Sequence, residues 1–481
     1  MSHTPFFLAW RARFSRRPAT VFAATVASLH RCTLDQLEAR FAPLLAGLTP
    51  VAPASATARE RPYSVRRTWW CFLWQMLGGN VSCRAVVRQL QAMFVLEGRP
   101  GVDEGTSAYC QARARLPDEL FPAALQASAQ AANARVAPGT ALQGRPVKML
   151  DGTSLVVPDT PANQAGYPQS KSQAPGCGFA LVNLLAVWDA RGAAIVDVEL
   201  GNQHHSELRL LHQLAPRLTP DDIVVYDRAL GHYVGCALLQ ARGLDLISRV
   251  HTRRIDWRGG HRLGRHERLV TWRKSRQPPP YLTAEEWAAL PEEITVRILR
   301  VRVQQKGFRT RTLALVTTLL DNVAYPAPQI VEAYHRRWRL EMCLDDLKTT
   351  LRLDALRCQS PTMVRREILM LCTAHNLIRA VMAEAAAAHA VPLERLSFTG
   401  ALVSIRHFCT ASAQTARPAL RRVLWSELLR LIAADPVPLR PDRWEPRAVK
   451  RRPKPYPRLN RPRHKYRQAR HGSFYRRTAQ T

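Results

Sequence analysis

The sequence predicts an α/β protein built around a mixed β-sheet, and three observations support this fold class. Short apolar runs of strand length begin at residue 146 and alternate with amphipathic helical patterns up to residue 250. Long helical patterns occupy residues 62–135 and 328–435 on either side of this region. The chain of 481 residues is 46% apolar and 22% charged, so it can bury sizeable cores, and global disorder is excluded.

The N-terminal part is predicted to be helical. Residues 1–58 combine an arginine-rich start, a short helical pattern and a linker rich in proline, alanine, serine and threonine. Residues 59–140 are predicted to form a helical domain, because tryptophans and leucines recur at helical spacing between Trp69 and Leu77 and Ser82 is a suitable N-cap. This domain is a candidate for DNA binding.

Residues 141–250 are predicted to form the first part of the sheet. The expected elements are strands at 146–150, 179–188 and 193–200, a helix at 206–215, a strand at 223–226, a helix at 233–241 and a strand at 244–250. This is the element order of a ribonuclease-H-like core. It places Asp151 at the end of the first strand and Asp227 at the end of the fourth.

The second half continues this core after an interruption. Residues 251–322 contain two alternating runs, many arginines and a triple proline, so they are predicted to form a β-rich insertion subdomain. The predicted units that follow are the second part of the core at 323–390, a helical C-terminal region at 391–440 and a basic, disordered tail at 441–481.

The charge balance indicates a polyanionic partner. The formal net charge is +33, from 70 Lys and Arg against 37 Asp and Glu. Residues 440–481 carry a net +13, which leaves +20 on the rest of the chain. Because the folded part is basic as well as the tail, nucleic acid is the expected partner.

Two other classes of protein are excluded. The apolar run at residues 5–10 is too short for a membrane span or a signal sequence, so we expect no membrane partner. The ten cysteines are scattered singly without a Cys-x2-Cys pair. They are typical of buried thiols in a reducing cytoplasm rather than of a disulfide framework or a zinc site.

Residues 334–348 are predicted to form a helix that carries chemistry. At about 100° per residue, four of its polar residues share one stripe roughly 60° wide: Tyr334, Arg337, Glu341 and Lys348. Leucines beside the stripe would pack this helix against the core. Asp345 and Asp346 are both expected to be surface charges, although Asp345 lies close enough to the stripe to remain a minor candidate.

The acids of the sheet and of this helix suit phosphodiester chemistry. Two Mg²⁺ ions held by several carboxylates can stabilise both the attacking and the leaving oxygen of a displacement. Asp151, Asp227 and Glu341 would supply these oxygens from two strand ends and a helix. Arg337 and Lys348 would then hold neighbouring phosphates, the first through its fork of donors and the second as a point charge.

These residues resemble those of the DDE transposases of bacterial insertion sequences, in the group called the IS-four family. The pattern Tyr-x2-Arg-x3-Glu-x6-Lys, from Tyr334 to Lys348, matches the signature of that family in all four positions. Further similarities are Asp151-Gly152-Thr153, Asp227-Arg228, residues 109–117 and residues 376–379. The resemblance covers roughly residues 60–385.

The resemblance implies a transposase that binds the inverted-repeat ends of an element as a homodimer on double-stranded DNA and inserts them into target DNA. It implies Asp151, Asp227 and Glu341 as catalytic metal ligands for two Mg²⁺ ions, for which Mn²⁺ could substitute. Tyr334, Arg337 and Lys348 would contact DNA, in a bacterial, nucleoid-associated protein. In some members a tryptophan of the insertion stacks on a flipped base, but no motif selects among Trp257, Trp272 and Trp287.

Two alternatives remain open from the sequence. The chain could be a non-catalytic DNA-binding derivative of such an enzyme, or a ribonuclease-H-like nuclease that cuts but does not join. Taken singly, Asp151-Gly152 is typical of a turn, Asp227 of a helix cap and Glu341 of a solvated helix. Only their joint occurrence in this element order favours catalysis.

Overall fold

The computed structural model describes most of the chain outside its two ends. The described residues are 33–45, 62–96, 98–136, 142–250, 255, 257, 259–302, 312–413, 415, 417–438 and 459–466. Predictions that concern residues 1–32, the linker and most of the basic tail lie outside this part of the chain.

A single mixed sheet contains all nine strands of the described residues. The strands are β1 (Val147–Val156), β2 (Leu181–Asp189), β3 (Ala194–Asn202), β4 (Ile223–Tyr226), β5 (Asp245–Arg249), β6 (His261–Gly264), β7 (Glu267–Arg273), β8 (Glu293–Arg302) and β9 (Thr312–Thr317). The α/β class predicted from the sequence is therefore confirmed.

The order of strands across the sheet is β3-β2-β1-β4-β5-β9-β8-β7-β6. β1, β2 and β3 pair antiparallel, whereas β4 is parallel to β1 and to β5. β9 pairs antiparallel with β5 and continues through β8 and β7 to β6. The strands of segment 251–322 thus extend the same sheet beyond β5.

Fourteen α-helices occur in the described residues. They are α1 (Thr33–Phe41), α2 (Val65–Leu77), α3 (Cys83–Leu96), α4 (Ser107–Ala114), α5 (Leu120–Asn133), α6 (Pro161–Gly166), α7 (Glu207–Leu214), α8 (Tyr233–Gln240), α9 (Ala284–Ala289), α10 (Ala327–His335), α11 (Trp338–Asp345), α12 (Pro361–Ala388), α13 (Phe398–Ala413) and α14 (Pro418–Ala433). The helices predicted at 206–215 and 233–241 correspond to α7 and α8.

The two faces of the sheet bury separate cores. On one face, α1–α5 and α12–α14 pack together and against β1–β3. On the other face, the leucines of α7 and α8 pack against β4 and β5 and against the added strands β8 and β9. The end of β4 therefore lies between two helical layers.

The central element of the first core is α12. By length and composition this helix could cross a membrane, but nearly all of its most apolar stretch is buried inside the protein. Its burial is that of a core helix, so it implies no membrane span.

Asn376 ties α12 to the sheet. The side chain is fully buried, accepts a hydrogen bond from Ile195 N at 2.7 Å and donates one to Ile195 O at 2.8 Å. It also donates to Ser128 Oγ on α5 at 3.2 Å. Because a buried backbone group without a partner costs about 1–3 kcal/mol, this side chain stabilises the edge strand β3. The structure therefore explains why an asparagine occupies position 376.

Only a short part of the basic tail is described. Residues 459–466 contain one 3-10 turn, Arg463–Lys465. A Cβ atom built on Gly176 would lie 3.2 Å from Pro462, so this part of the tail lies against the loop that precedes β2.

Candidate active site

Asp151 and Asp227 lie side by side at the edge where β4 ends. Met149 on β1 pairs with Val225 on β4, and continuing this parallel register by two residues brings Asp151 alongside Asp227. Both side chains are partly buried. The two acids that the sequence singled out therefore lie next to each other in the fold.

The sequence predicted that β1 ends at Asp151, and this was wrong. The strand continues to Val156, and Asp151 pairs with Ala186 in the antiparallel ladder with β2. The reason is that β2 is longer than β4, so one side of β1 keeps a partner after the other side has lost it. Asp151 is thus at the end of the parallel pairing but in the middle of its strand.

Asp227 also caps the turn that follows it. Its Oδ1 accepts a hydrogen bond from Ala229 N at 2.7 Å, at the start of the 3-10 turn Arg228–Leu230. Its backbone oxygen accepts a hydrogen bond from Ser248 Oγ on β5. A carboxylate has about four acceptor sites on two oxygens, so capping and ligand binding are compatible.

Glu207 lies against Gly152. A Cβ atom built on Gly152 would be 2.5 Å from Glu207 Oε1, so a larger residue here would displace the Glu207 carboxylate. Glu207 is in the first turn of α7, and its Oε2 accepts a hydrogen bond from Tyr226 Oη at 2.6 Å. Burial and the neighbouring Glu207 raise the pKa of the Tyr226 hydroxyl most strongly. The charges of Asp227 and Asp151 raise it further.

Glu207 and Tyr226 therefore belong to the surroundings of the acid pair, and the sequence analysis did not assign them. The one sequence signal was Ser206, an N-cap directly before Glu207, which indicates a helix start but not its position relative to Asp151. Packing of α7 on this face of the sheet decides that position.

The helix predicted at 334–348 is interrupted. α10 ends at His335, α11 begins at Trp338, and Arg336 and Arg337 between them keep right-handed helical backbone angles. The last part, Asp346–Thr350, is a π-helical turn. The angular stripe therefore holds from Tyr334 to Glu341, but the position calculated for Lys348 does not, because a π-helix has more residues per turn.

Arg337 connects the helix to the acids. Its Nη2 donates to Glu341 Oε1 at 3.4 Å, and its guanidinium lies 5.8 Å from the centre of the Tyr334 ring. Arg337 is largely buried, whereas the Glu341 side chain is 48% exposed. Burial acts to lower the pKa of Arg337, but the charges of Tyr334, Glu341 and Asp151 raise it.

The three predicted acids influence one another. Burial raises the pKa of Asp151, and the charges of Asp227 and Glu341 raise it further. The charge of Arg337 and the hydrogen bond that Gly152 N donates to Asp151 Oδ1 at 3.0 Å act in the opposite direction. A carboxylate whose ionised form is opposed by two other carboxylates is a site where a cation would be favourable.

The arrangement suits a divalent ion in donor chemistry and charge. Hard oxygen donors from several elements are the ligands that Mg²⁺ prefers. In the described part of the chain, however, no three His, Cys, Asp or Glu side chains converge closely enough to ligate one ion as they stand. The exposed Glu341 side chain is the one with room to move toward Asp151 and Asp227.

Asp345 and Asp346 differ in a way that the sequence did not predict. Asp345 is exposed, as expected, but Asp346 is partly buried and lines a cavity of about 230 Å³ with Trp188 and Arg379. Burial raises the pKa of Asp346 to about 6, against the opposing charge of Arg379. The expectation of a surface charge at 346 was wrong, because α12 packs against this turn.

Asp346→Asn is expected to raise the free energy of unfolding by about 2 kcal/mol at about pH 8. The folded-state pKa of about 6 lies above the ordinary 3.8, so ionisation of Asp346 opposes folding at high pH. The gain should shrink as the pH falls below 6, where the folded protein takes up the proton.

Urea unfolding of both proteins across this pH range measures the effect, with the exposed Asp354→Asn as control. An equal gain in unfolding free energy at every pH would show that removal of the Asp346 charge does not cause the gain.

The three tryptophans of segment 251–322 are all partly buried against the second core. Trp287 packs edge-on against Tyr233, and Trp257 lies under the guanidinium of Arg300, 5.5 Å from the ring centre. The structure therefore does not single out one of them for base stacking.

The comparisons with known proteins identify the domain that holds the acid pair. Residues 142–377 match the family model described as a transposase DDE domain. This range begins just before β1, ends within α12 and includes Asp151, Asp227 and Glu341.

Known relatives are transposases of insertion sequences. The chain is 26% identical over 413 residues to the Escherichia coli K12 transposase InsG of insertion sequence element IS4, covering 84% of this chain and 89% of that protein. It is 27% identical over 269 residues to the E. coli transposase of insertion sequence element IS421, covering 50% of this chain and 66% of that protein.

A solved structure also matches, more weakly. It is a piggyBac transposase synaptic complex with hairpin DNA, at a TM-score of 0.41 and 8% identity over 85% of each chain. A likeness at this level does not establish a shared fold. The family model and the insertion-sequence relatives thus identify a transposase DDE domain in residues 142–377 and support a DNA transposase.

Proposed function

We propose that this transposase binds the inverted-repeat ends of an insertion sequence and catalyses Mg²⁺-dependent cleavage and strand transfer, with Asp151, Asp227 and Glu341 as its catalytic acids. The observation that carries this assignment is the placement of Asp151 on β1 beside Asp227, which directly follows β4. Burial raises the pKa of Asp151, and the charges of Asp227 and Glu341 raise it further. A bound cation would favour the ionised form of these acids.

The proposed catalytic core is ribonuclease-H-like, formed by residues 141–250 and 323–390. Supporting this is the arrangement of β1–β5, an antiparallel β3-β2-β1 followed by the parallel β4 and β5. In this proposal residues 251–322 are an insertion that lengthens the sheet, and its arginines contact DNA near the ends of the element. The helical units 59–140 and 391–440 flank the core, and the first contributes to DNA binding.

The proposed cofactor is a pair of Mg²⁺ ions, for which Mn²⁺ can substitute. Asp151, Asp227 and Glu341 would hold them. When bound, such ions supply activation of water and stabilisation of charge on the reacting oxygens.

The basic side chains position the DNA in this proposal. Arg337 lies between Tyr334 and Glu341, and burial of most of its side chain orients its guanidinium before DNA binds. A guanidinium so placed can pair with a phosphate through two parallel hydrogen bonds. Lys348 would contribute a point charge from the π-helical turn, and Tyr334 would support Arg337 rather than reach far into solvent, because only 6% of it is exposed.

The proposed partners are transposon ends and target DNA, bound by a homodimer in a bacterial nucleoid. Two ends must be cut and joined together, and one chain has one set of three acids, so two chains would serve two ends.

Deleting residues 447–481 is expected to weaken binding to DNA of any sequence and to flatten the dependence of the affinity on salt. The segment is rich in arginine and lysine, and phosphate contacts release counterions without regard to sequence. The slope of log affinity against log salt should fall by about 0.9 for each phosphate that the shortened protein no longer neutralises.

Fluorescence anisotropy with specific and unrelated duplexes, over a range of salt, measures both quantities. An unchanged slope would mean that the tail does not bind phosphates.

Incubation with element-end DNA, a target plasmid and Mg²⁺ tests the proposed function. We expect cleaved ends and joined products that are absent when EDTA replaces Mg²⁺. Cleaved ends without joined products would favour a nuclease, and binding without cleavage would favour a non-catalytic derivative.

A further inference from the structure

Two thiols of the N-terminal helices lie against one guanidinium, away from the acids of the site. Cys83 begins α3, and Cys110 is in the middle of α4. Nη2 of Arg113 is 3.3 Å from Cys83 Sγ and 3.8 Å from Cys110 Sγ. Both thiols are partly exposed.

Arg113 is held firmly in this position. Its Nη1 donates to Gln75 Oε1 at 3.4 Å, and its guanidinium lies 4.9 Å from the centre of the Phe72 ring and 5.0 Å from that of Tyr109. Its backbone oxygen accepts a hydrogen bond from Arg366 on α12 at 2.9 Å. The positive charge beside the sulfurs is therefore a fixed feature of the packing between α4 and α12.

This environment makes the two thiols unequal. Interaction with the Cys83 side chain, and then the charge of Arg113, lower the pKa of Cys110. Interaction with Cys110 and burial raise the pKa of Cys83. Since the thiolate is the reactive form, Cys110 is suited to react first and Cys83 to remain a thiol next to it.

We propose that Cys83 and Cys110 form a peroxide-reactive pair that closes to a disulfide between α3 and α4. The Cys110 thiolate attacks hydrogen peroxide, the O–O bond breaks, and a sulfenic acid and hydroxide form. The Cys83 thiol then displaces the hydroxyl from sulfur, so that an S–S bond and water form. Altogether two thiols lose two electrons and two protons, and peroxide is reduced to two molecules of water.

Other cysteines nearby are less suited to this reaction. Cys358 is also within the field of Arg113, but it is only 4% exposed, and burial and the charge of Glu367 raise its pKa. Cys177 is partly exposed, as Cys110 is, but lies in the loop before β2, where its Sγ contacts Pro175 O at 3.9 Å. It serves as the matched control.

The experiment exposes the full-length reduced protein to hydrogen peroxide and follows each cysteine by peptide mass spectrometry without reduction. We expect a Cys83–Cys110 linked peptide, lighter by two hydrogen atoms, that forms at least about tenfold faster than oxidation of Cys177. In Cys83→Ser the reaction should stop at a sulfenic acid on Cys110, which dimedone labels. In Cys110→Ser neither product should form at Cys83.

Three results would overturn the proposal. One is oxidation of Cys110 no faster than that of Cys177 in the folded protein. Another is a disulfide from Cys110 to Cys358 instead of Cys83. The third is failure of dimedone to label Cys110 in the Cys83→Ser variant. This substitution is small and lies at a partly exposed helix start, and circular dichroism can verify that the variant is folded.

Discussion

Glu341→Gln is expected to lower Mg²⁺-dependent cleavage of element-end DNA at least about a thousandfold, equivalent to ~4 kcal/mol of transition-state stabilisation. The amide keeps the size of the side chain but removes the charge that, with Asp227, raises the pKa of Asp151. Because Glu341 is exposed and paired only loosely with Arg337 at 3.4 Å, its replacement should leave the fold and DNA affinity nearly unchanged. Cleavage and binding are measured on the same labelled duplex.

The matched control is Glu332→Gln on α10. Glu332 is 55% exposed and pairs with Arg336 at the same i, i+4 spacing as Glu341 with Arg337. This substitution should leave cleavage within about twofold, since an exposed ion pair contributes little. Cleavage by Glu341→Gln at the rate of the control would remove Glu341 from the proposed site, and loss of cleavage together with DNA binding would indicate a structural effect.

Arg297→Ala is expected to lower the free energy of unfolding by about 3–5 kcal/mol, the usual cost of breaking a buried ion pair. Arg297 on β8 is fully buried, pairs with Glu267 and donates to the backbone oxygens of Tyr325 at 2.7 Å and Leu319 at 3.3 Å. Without it the Glu267 carboxylate and these carbonyl groups lose their donor. Urea denaturation measures the loss.

Arg273→Ala on the neighbouring strand β7 is the control. Arg273 also pairs with a glutamate across the sheet, Glu293, but its side chain is 84% exposed. The cost should stay below about 1 kcal/mol. An equal loss of unfolding free energy in the two variants would show that the stabilisation by the Arg297–Glu267 pair does not depend on the burial of Arg297.

The local periodicity of the sequence was sufficient to predict the elements around the acid pair. The alternating and apolar runs at residues 179–200 predicted the hairpin of β2 and β3, and the amphipathic pattern at 206–215 predicted α7. Asp227 follows a short buried strand, as predicted, because four consecutive apolar residues between polar turns have few other solutions.

Features that depend on distant partners could not be predicted. The length of β1 beyond Asp151 is set by β2, and the place of β9 beside β5 joins strands separated by more than 60 residues. Burial of Asp346 depends on α12, and the position of Glu207 depends on how α7 packs on the sheet. Local sequence patterns do not predict the tertiary packing that brings these residues together.

The most direct test of the proposed site is a crystal structure of the protein with Mn²⁺, in which anomalous scattering locates the ions. The proposal predicts density at roughly 2 Å from carboxylate oxygens of Asp151 and Asp227, with Glu341 completing the site. It also predicts weaker density in Glu341→Gln crystals. Mn²⁺ bound only elsewhere in the protein, with these three carboxylates left without an ion, would contradict the account.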